Sequence, residues 1–87
     1  MTVRIEKATD RHRTIIRLSG RLQSEYLDEL NRQVLSEQQP IAVDLEGVTL
    51  VDIDVIRFLN ACEKSGAELL HCPPYIRGWM SRENARE

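Results

Sequence analysis

The sequence predicts an α/β fold in which a mixed β-sheet carries its helices mainly on one face. Two strand-like apolar runs lie close together near the N-terminus, and later segments alternate between helical apolar spacing and short apolar runs. The predicted order is ββαβαβα, so the later strands are parallel and joined by right-handed crossovers. The 87 residues fit one domain over residues 1–87. Its core is expected over about residues 3–80, and residues 81–87, almost devoid of apolar residues, are a candidate disordered tail.

The N-terminal half is predicted to form a β-hairpin followed by a helix. Alternation over residues 2–7 indicates the first strand, residues 9–13 a turn, and residues 14–19 a second strand closed by Gly20. Ser24 is a favoured N-cap residue and predicts a helix start. The apolar stripe of this helix is predicted to face the sheet and consists of Leu27, Leu30, Val34 and Leu35.

The C-terminal half is predicted to contain two further strands and two helices. Residues 41–45 form an apolar run that is typical of a strand covered on both faces, and Gly47 breaks it. Asp52 is the predicted N-cap of the second helix, and Gly66 suits the left-handed position after its end. Residues 67–71 form the last strand. Pro73 and Pro74 then start a final helix whose apolar face carries Tyr75, Ile76, Trp79 and Met80.

Composition and motifs count against several functional classes. Twelve basic and fourteen acidic residues give a net charge of −2, which does not favour nucleic-acid binding. The chain lacks a glycine-rich phosphate loop, a nucleophile elbow and a metal-ligand spacing, so it is not expected to be an enzyme or to hold a cofactor or metal. It also lacks a signal peptide and any apolar run long enough to span a bilayer. A cytoplasmic location without direct membrane insertion is therefore expected.

Three features allow both a structural and a functional interpretation. The segment His71–Pro74 could supply a reactive cysteine or a His/Cys metal pair, but a strand end followed by a proline-started helix is favoured. Tyr75 and Trp79 could anchor a partner, although core packing is favoured. Asp52 and Asp54 are common residues at a helix start, where they stabilise the helix as caps. The same helix end could also be a docking or switch surface.

A family resemblance gives the last of these features a functional meaning. The run VDLEGVTLVDIDVIRFL at residues 43–59, the following GAELLHCPP and the earlier LSGRL resemble a STAS domain. That family comprises bacterial anti-sigma factor antagonists and the cytoplasmic tails of sulfate transporters. The resemblance covers essentially residues 3–80 and implies a protein–protein binding module in bacterial signalling and transcription regulation.

The resemblance also identifies where this chain departs from the family pattern. In antagonists of the family, the loop before the second helix reads Asp-Ser-Ser-Gly, and the second serine accepts phosphate from an anti-sigma factor that is also a kinase. The matching residues here are Asp52, Ile53, Asp54 and Val55. Asp54 occupies the phospho-acceptor position and supplies one fixed negative charge, which makes it a partial mimic of phosphoserine. Valine at the glycine position requires ordinary backbone angles.

We therefore predict a STAS-like binding module that lacks the usual serine switch. Its predicted partner-binding surface consists of Thr49, Asp52, Ile53, Asp54, Val55 and Arg57. The resemblance implies an anti-sigma factor or serine-kinase-like partner. The alternative is an accessory STAS subunit of a lipid-trafficking ABC-type transporter that docks on the ATPase subunit. The chain is expected to be a monomer or a weak homodimer.

Overall fold

The computed structural model describes residues 3–86 and confirms the α/β fold with the predicted ββαβαβα order. The strands are β1 (Arg4–Thr9), β2 (Thr14–Leu22), β3 (Ile41–Val51) and β4 (Glu68–Leu70). The helices are α1 (Leu27–Leu35), α2 (Ile53–Lys64) and α3 (Pro74–Arg86), and a 3-10 turn over Ser24–Tyr26 precedes α1. No helix within residues 3–86 is long and apolar enough to cross a membrane.

The four strands form one mixed sheet in the order β1-β2-β3-β4. β1 pairs antiparallel with β2, whereas β2, β3 and β4 are parallel to one another. One face of the sheet packs against all three helices, because Ile16, Val43, Leu30, Ile56 and Ile76 belong to a single buried apolar cluster. The other face carries a row of paired polar residues, in which Glu6 opposes Arg17 and Arg17 opposes Asp44.

Two bulges in β3 explain its irregular pattern of apolar residues. β3 contributes one residue more than β2 between the pairs Arg17–Asp44 and Ser19–Gly47, and again between Gly20–Val48 and Arg21–Leu50. Each extra residue shifts by one position the set of β3 side chains that face the core. The residues of β3 that belong to the buried apolar cluster therefore follow spacings of two, three and three rather than strict alternation: Val43, Leu45, Val48 and Val51.

Gly47 does not break β3, contrary to the prediction, but lies within it beside the first bulge. A Cβ atom at this position would lie 2.7 Å from the Cβ of Ser19, which real Cβ atoms do not tolerate. The missing side chain therefore permits the close approach of β2 and β3. Glycine is required here by packing between strands rather than by a turn.

Three predictions for the helices are wrong. Ser24 begins the 3-10 turn and its side chain caps no helix. Leu35 ends α1 with 82% of its surface exposed, so it does not complete the apolar stripe. Residues 81–86 are not a disordered tail, because α3 continues to Arg86 and the side chain of Glu83 is buried. Residue 87 lies outside the described residues.

The packing of α3 along α2 explains why residues 81–86 are not a disordered tail. Asn60 of α2 is polar but only 6% exposed, and its Nδ2 donates to the Met80 carbonyl at 3.1 Å. Its Oδ1 accepts from Asn84 Nδ2 at 3.1 Å. On the apolar face, Ile76 and Met80 are buried, Trp79 is half-buried and Tyr75 is exposed. The C-terminal half of α3 is thus held by polar contacts that composition does not reveal.

Candidate functional site

The predicted surface lies at the carboxyl end of β3, where the chain passes from Val51 into α2. Asp52 is the N-cap residue of α2, as predicted, with an extended backbone at φ −113° and ψ 178°. Its Oδ1 accepts a hydrogen bond from the Val55 backbone N–H at 3.0 Å. This contact satisfies one of the backbone donors that a helix start leaves unpaired.

The second oxygen of the same carboxylate reaches another segment of the chain. Asp52 Oδ2 accepts from the Ser24 backbone N–H at 2.8 Å, at the start of the 3-10 turn that leads into α1. One side chain therefore ties together the starts of two helical segments. Sequence reasoning missed this contact because the partners are 28 residues apart and the donor is a backbone group, which any residue type other than proline supplies.

Most of the remaining predicted residues lie on the surface around Asp52. Thr49 and Asp54 are exposed, and Ile53 is half-buried in the first turn of α2. The Asp54 side chain makes no hydrogen bond or ion pair with any residue among those described. Arg57 is exposed one turn further on, and its Nε lies 3.4 Å from Glu83 Oε1 of α3.

Val55 differs from the other predicted residues because its side chain is fully buried. It packs in the apolar cluster between the sheet and the helices. Its side chain is therefore not accessible to a partner. Valine at this position anchors the first turn of α2 in the core. Residue 55 lies within the helix, whose ordinary backbone angles valine can adopt.

Leu50 is a surface residue that sequence reasoning missed. It is 45% exposed and pairs with Arg21 of β2 immediately after the second bulge. The bulge turns Val51 into the core and leaves Leu50 outside. The sequence around Leu50 showed only a run of apolar residues, and such a run does not indicate which side chain faces solvent. The surface at this end of α2 thus combines exposed aliphatic atoms with the charges of Asp54, Arg57 and Arg21.

A second polar cluster lies on the helix-free face of the sheet. Asp44 accepts from the Glu46 backbone N–H at 3.0 Å, and its carboxylate lies 3.2 Å from His71 Nδ1 and 3.9 Å from Arg17 Nε. Partial burial opposes ionisation of Asp44, but these three groups outweigh it and hold the pKa of Asp44 below its ordinary value. His71 adopts φ 53°, a conformation that is uncommon outside glycine.

Burial affects the ionisation of both cysteines. Burial raises the pKa of the Cys62 thiol to about 11, and burial also raises the pKa of Cys72. Both are therefore neutral thiols and poor nucleophiles at neutral pH. Within the described part of the chain, no three His, Cys, Asp or Glu side chains are grouped to hold a metal ion.

Comparison with known proteins adds no assignment. No model of a known protein family matches the chain, and no curated protein matches it either.

Proposed function

We propose that this protein is a cytoplasmic, STAS-like protein–protein binding module that resembles an anti-sigma factor antagonist without its serine switch. The observation that carries the proposal is the exposed carboxylate of Asp54 in the first turn of α2. Asp52 holds this helix start in place through two hydrogen bonds from backbone N–H groups. The resemblance over residues 43–59 supplies the functional class. The exposure of Thr49, Asp54 and Arg57 supports the proposed location of the partner-binding surface.

Rigidity of the loop favours a binding role. Asp52 fixes the loop on one side to α2 and on the other to the segment before α1, while buried Val55 anchors the first turn. A surface that is already ordered loses less conformational entropy when a partner binds it. These contacts hold the loop without a phosphate group.

Charge and exposed apolar atoms give the surface its specificity. Asp54 brings one negative charge, whereas a phosphoserine would bring about −1.5 to −2 and a third acceptor oxygen. Ile53 and Leu50 offer aliphatic contact area beside that charge, and Arg57 adds a donor held by Glu83. Protein–protein interfaces commonly surround a more apolar centre with a polar rim. The partner would be bound without a phosphorylation cycle.

The proposal is tested by affinity capture from a bacterial lysate followed by binding measurements with the purified partner. The expected partner is an anti-sigma factor of the serine-kinase type, whose binding to the native chain is unaffected by ATP. The double variant Ile53→Asp, Asp54→Lys is expected to lose this partner. A matched control, Leu35→Asp with Asp28→Lys, changes an exposed leucine and a first-turn acid of α1 and is expected to retain it.

A gain-of-function variant makes the test sharper. Asp54→Ser restores a hydroxyl at the phospho-acceptor position, so the captured kinase and ATP are expected to phosphorylate residue 54 in this variant and not in Asp54→Asn. Equal capture of the same proteins by the native chain and the double variant would remove the surface assignment. Capture of a transporter ATPase subunit in place of an anti-sigma factor would favour the accessory-subunit alternative.

A further inference from the structure

Asp54 and Arg57 lie on the same side of α2 with opposite charges. Residues three apart in a helix have Cβ atoms about 5–6 Å apart, so an acid and an arginine at this spacing can form an ion pair on the helix surface. Both side chains are exposed. Among the residues that the structure describes, however, Asp54 is unpaired, and Arg57 turns instead to Glu83 of α3, with Nε 3.4 Å from Oε1.

The burial of Glu83 explains why Arg57 lies against it. The side chain of Glu83 is 11% exposed because α3 packs along α2, whereas the side chain of Arg57 is 61% exposed. A carboxylate that packing has removed from water needs a cation or a donor as compensation. Water also screens a buried charge less than an exposed one, so Arg57 is attracted more strongly to Glu83 than to Asp54.

This arrangement leaves both charges of α2 accessible. Arg57 reaches Glu83 through Nε, so the terminal nitrogens, which carry most of its N–H groups, lie at the exposed end of the side chain. The carboxylate of Asp54 is exposed as well. If the two side chains paired with each other, a partner would first have to break that pair. The contact with Glu83 prevents this loss.

We propose that Glu83 is a positioning residue of the partner-binding surface, because it holds Arg57 away from Asp54 and keeps both charges available. The inference rests on the proposed function and adds the chemistry of the partner. The partner presents a cationic group to Asp54 and a carboxylate to Arg57, spaced by about one helical turn. Complementary charges of this kind fix the register of two surfaces and exclude partners with the reverse order. Glu83 itself is buried and does not contact the partner.

NMR of the free chain tests the position of Arg57 without a partner. Asp54→Asn should leave the Nε–H resonance of Arg57 nearly in place in the native chain, because Arg57 bonds to Glu83. In Glu83→Gln the arginine can turn to Asp54, so the same Asp54→Asn change should move the resonance several-fold further. The matched control is Glu63→Gln, which removes a carboxylate from the pair with Arg77 and should leave the Arg57 resonance unchanged.

Binding measurements test the effect of Glu83 on the partner. The probe is the protein that the native chain captures from the lysate and that the Ile53→Asp, Asp54→Lys variant loses. Glu83→Gln should raise its Kd by about tenfold, because Asp54 and Arg57 then pair with each other. In an Asp54→Asn background the same change should add little, whereas a residue that only supports the fold would weaken binding in both backgrounds. Glu83→Asp keeps the charge and should restore part of the affinity.

Thermal unfolding shows whether each variant is folded, and the NMR comparison of the native chain with Asp54→Asn needs no change at Glu83. An Arg57 resonance that Asp54→Asn moves as far in the native chain as in Glu83→Gln overturns the inference. An affinity for the captured protein that Glu83→Gln leaves unchanged also overturns it. If no protein is captured, the proposed function fails and the partner is withdrawn with it, while the NMR result still decides whether Glu83 holds Arg57.

Discussion

The carboxylate of Asp52 lies 2.8 Å from the backbone nitrogen of Ser24, so the residue that caps α2 also fixes the entry to α1. An ordinary cap affects one helix. This one couples two segments that lie on either side of β3 in the sequence. The geometry of the proposed binding surface therefore depends on Asp52 more than on any exposed residue around it.

Replacement of Asp52 should be more costly than loss of a single cap. Asp52→Ala leaves the Val55 and Ser24 N–H groups without their acceptor, and we expect the free energy of unfolding to fall by about 1–3 kcal/mol. Urea denaturation measures this change. Asp54→Asn in the same helical turn is the control, and its effect should stay below about 1 kcal/mol because only the helix-dipole interaction is lost. Equal effects of the two variants would show that the Asp52 hydrogen bonds contribute little.

Gly47 should resist substitution because of its contact across the sheet. Gly47→Ala would place a Cβ 2.7 Å from that of Ser19, and we expect a loss of about 1–3 kcal/mol in stability. The double variant Ser19→Gly, Gly47→Ala removes the clash and should recover part of the loss in a double-mutant cycle. As a control, Gly78→Ala inside α3 meets only the end of Arg82 at 3.6 Å and should stabilise by about 0.5–1 kcal/mol. Additive effects of the Ser19 and Gly47 changes would contradict the proposed clash.

Asp44 should make stability depend on acid pH. Its pKa lies below the ordinary value of 3.8, so its stabilising contribution is complete above that pH and is lost as the pH falls through the lower, folded-state pKa. Glu37 has a lowered pKa as well, through its bonds to Lys7 and Thr14, and acts in the same direction. Urea unfolding of the native chain and of Asp44→Asn between pH 7 and pH 2 isolates the contribution of Asp44.

The native chain should be more stable than Asp44→Asn at pH 7. The difference between their free energies of unfolding should shrink as the pH falls below about 4. A difference that stays constant over the whole range would mean that ionisation of Asp44 does not stabilise the fold.

The end of α3 should contribute to stability although the sequence suggested a disordered tail. Truncation after Met80 removes Glu83 and Asn84, which bond to Arg57 and to the buried Asn60. We expect the midpoint of urea unfolding to fall by an amount that corresponds to about 1–3 kcal/mol, since two side-chain hydrogen bonds between α3 and α2 are lost. Arg82→Ala, an exposed change in the same segment, should have little effect. An unchanged midpoint after truncation would restore the tail interpretation.

The sequence by itself determined the features that depend only on residues close together in the chain. The order of strands and helices, the Asp52 cap, the left-handed Gly66 at φ 104° and the start of α3 at Pro74 all follow from local rules about backbone angles and unpaired N–H groups. These rules act over a few residues, so a short run of sequence contains the information that they need.

The tertiary structure alone decided which side chains reach the surface and which meet across the fold. The bulges of β3 bury Val51 and expose Leu50, and contact with α3 buries Asn60. The bond from Ser24 to Asp52 joins segments 28 residues apart. Such contacts depend on how whole elements pack, because a bulge or a helix neighbour changes exposure without any change in local pattern. The surface around Asp54 stays a prediction from the sequence, whereas the hydrogen bond from Ser24 to Asp52 and the exposed Leu50 beside that surface could not be predicted from it.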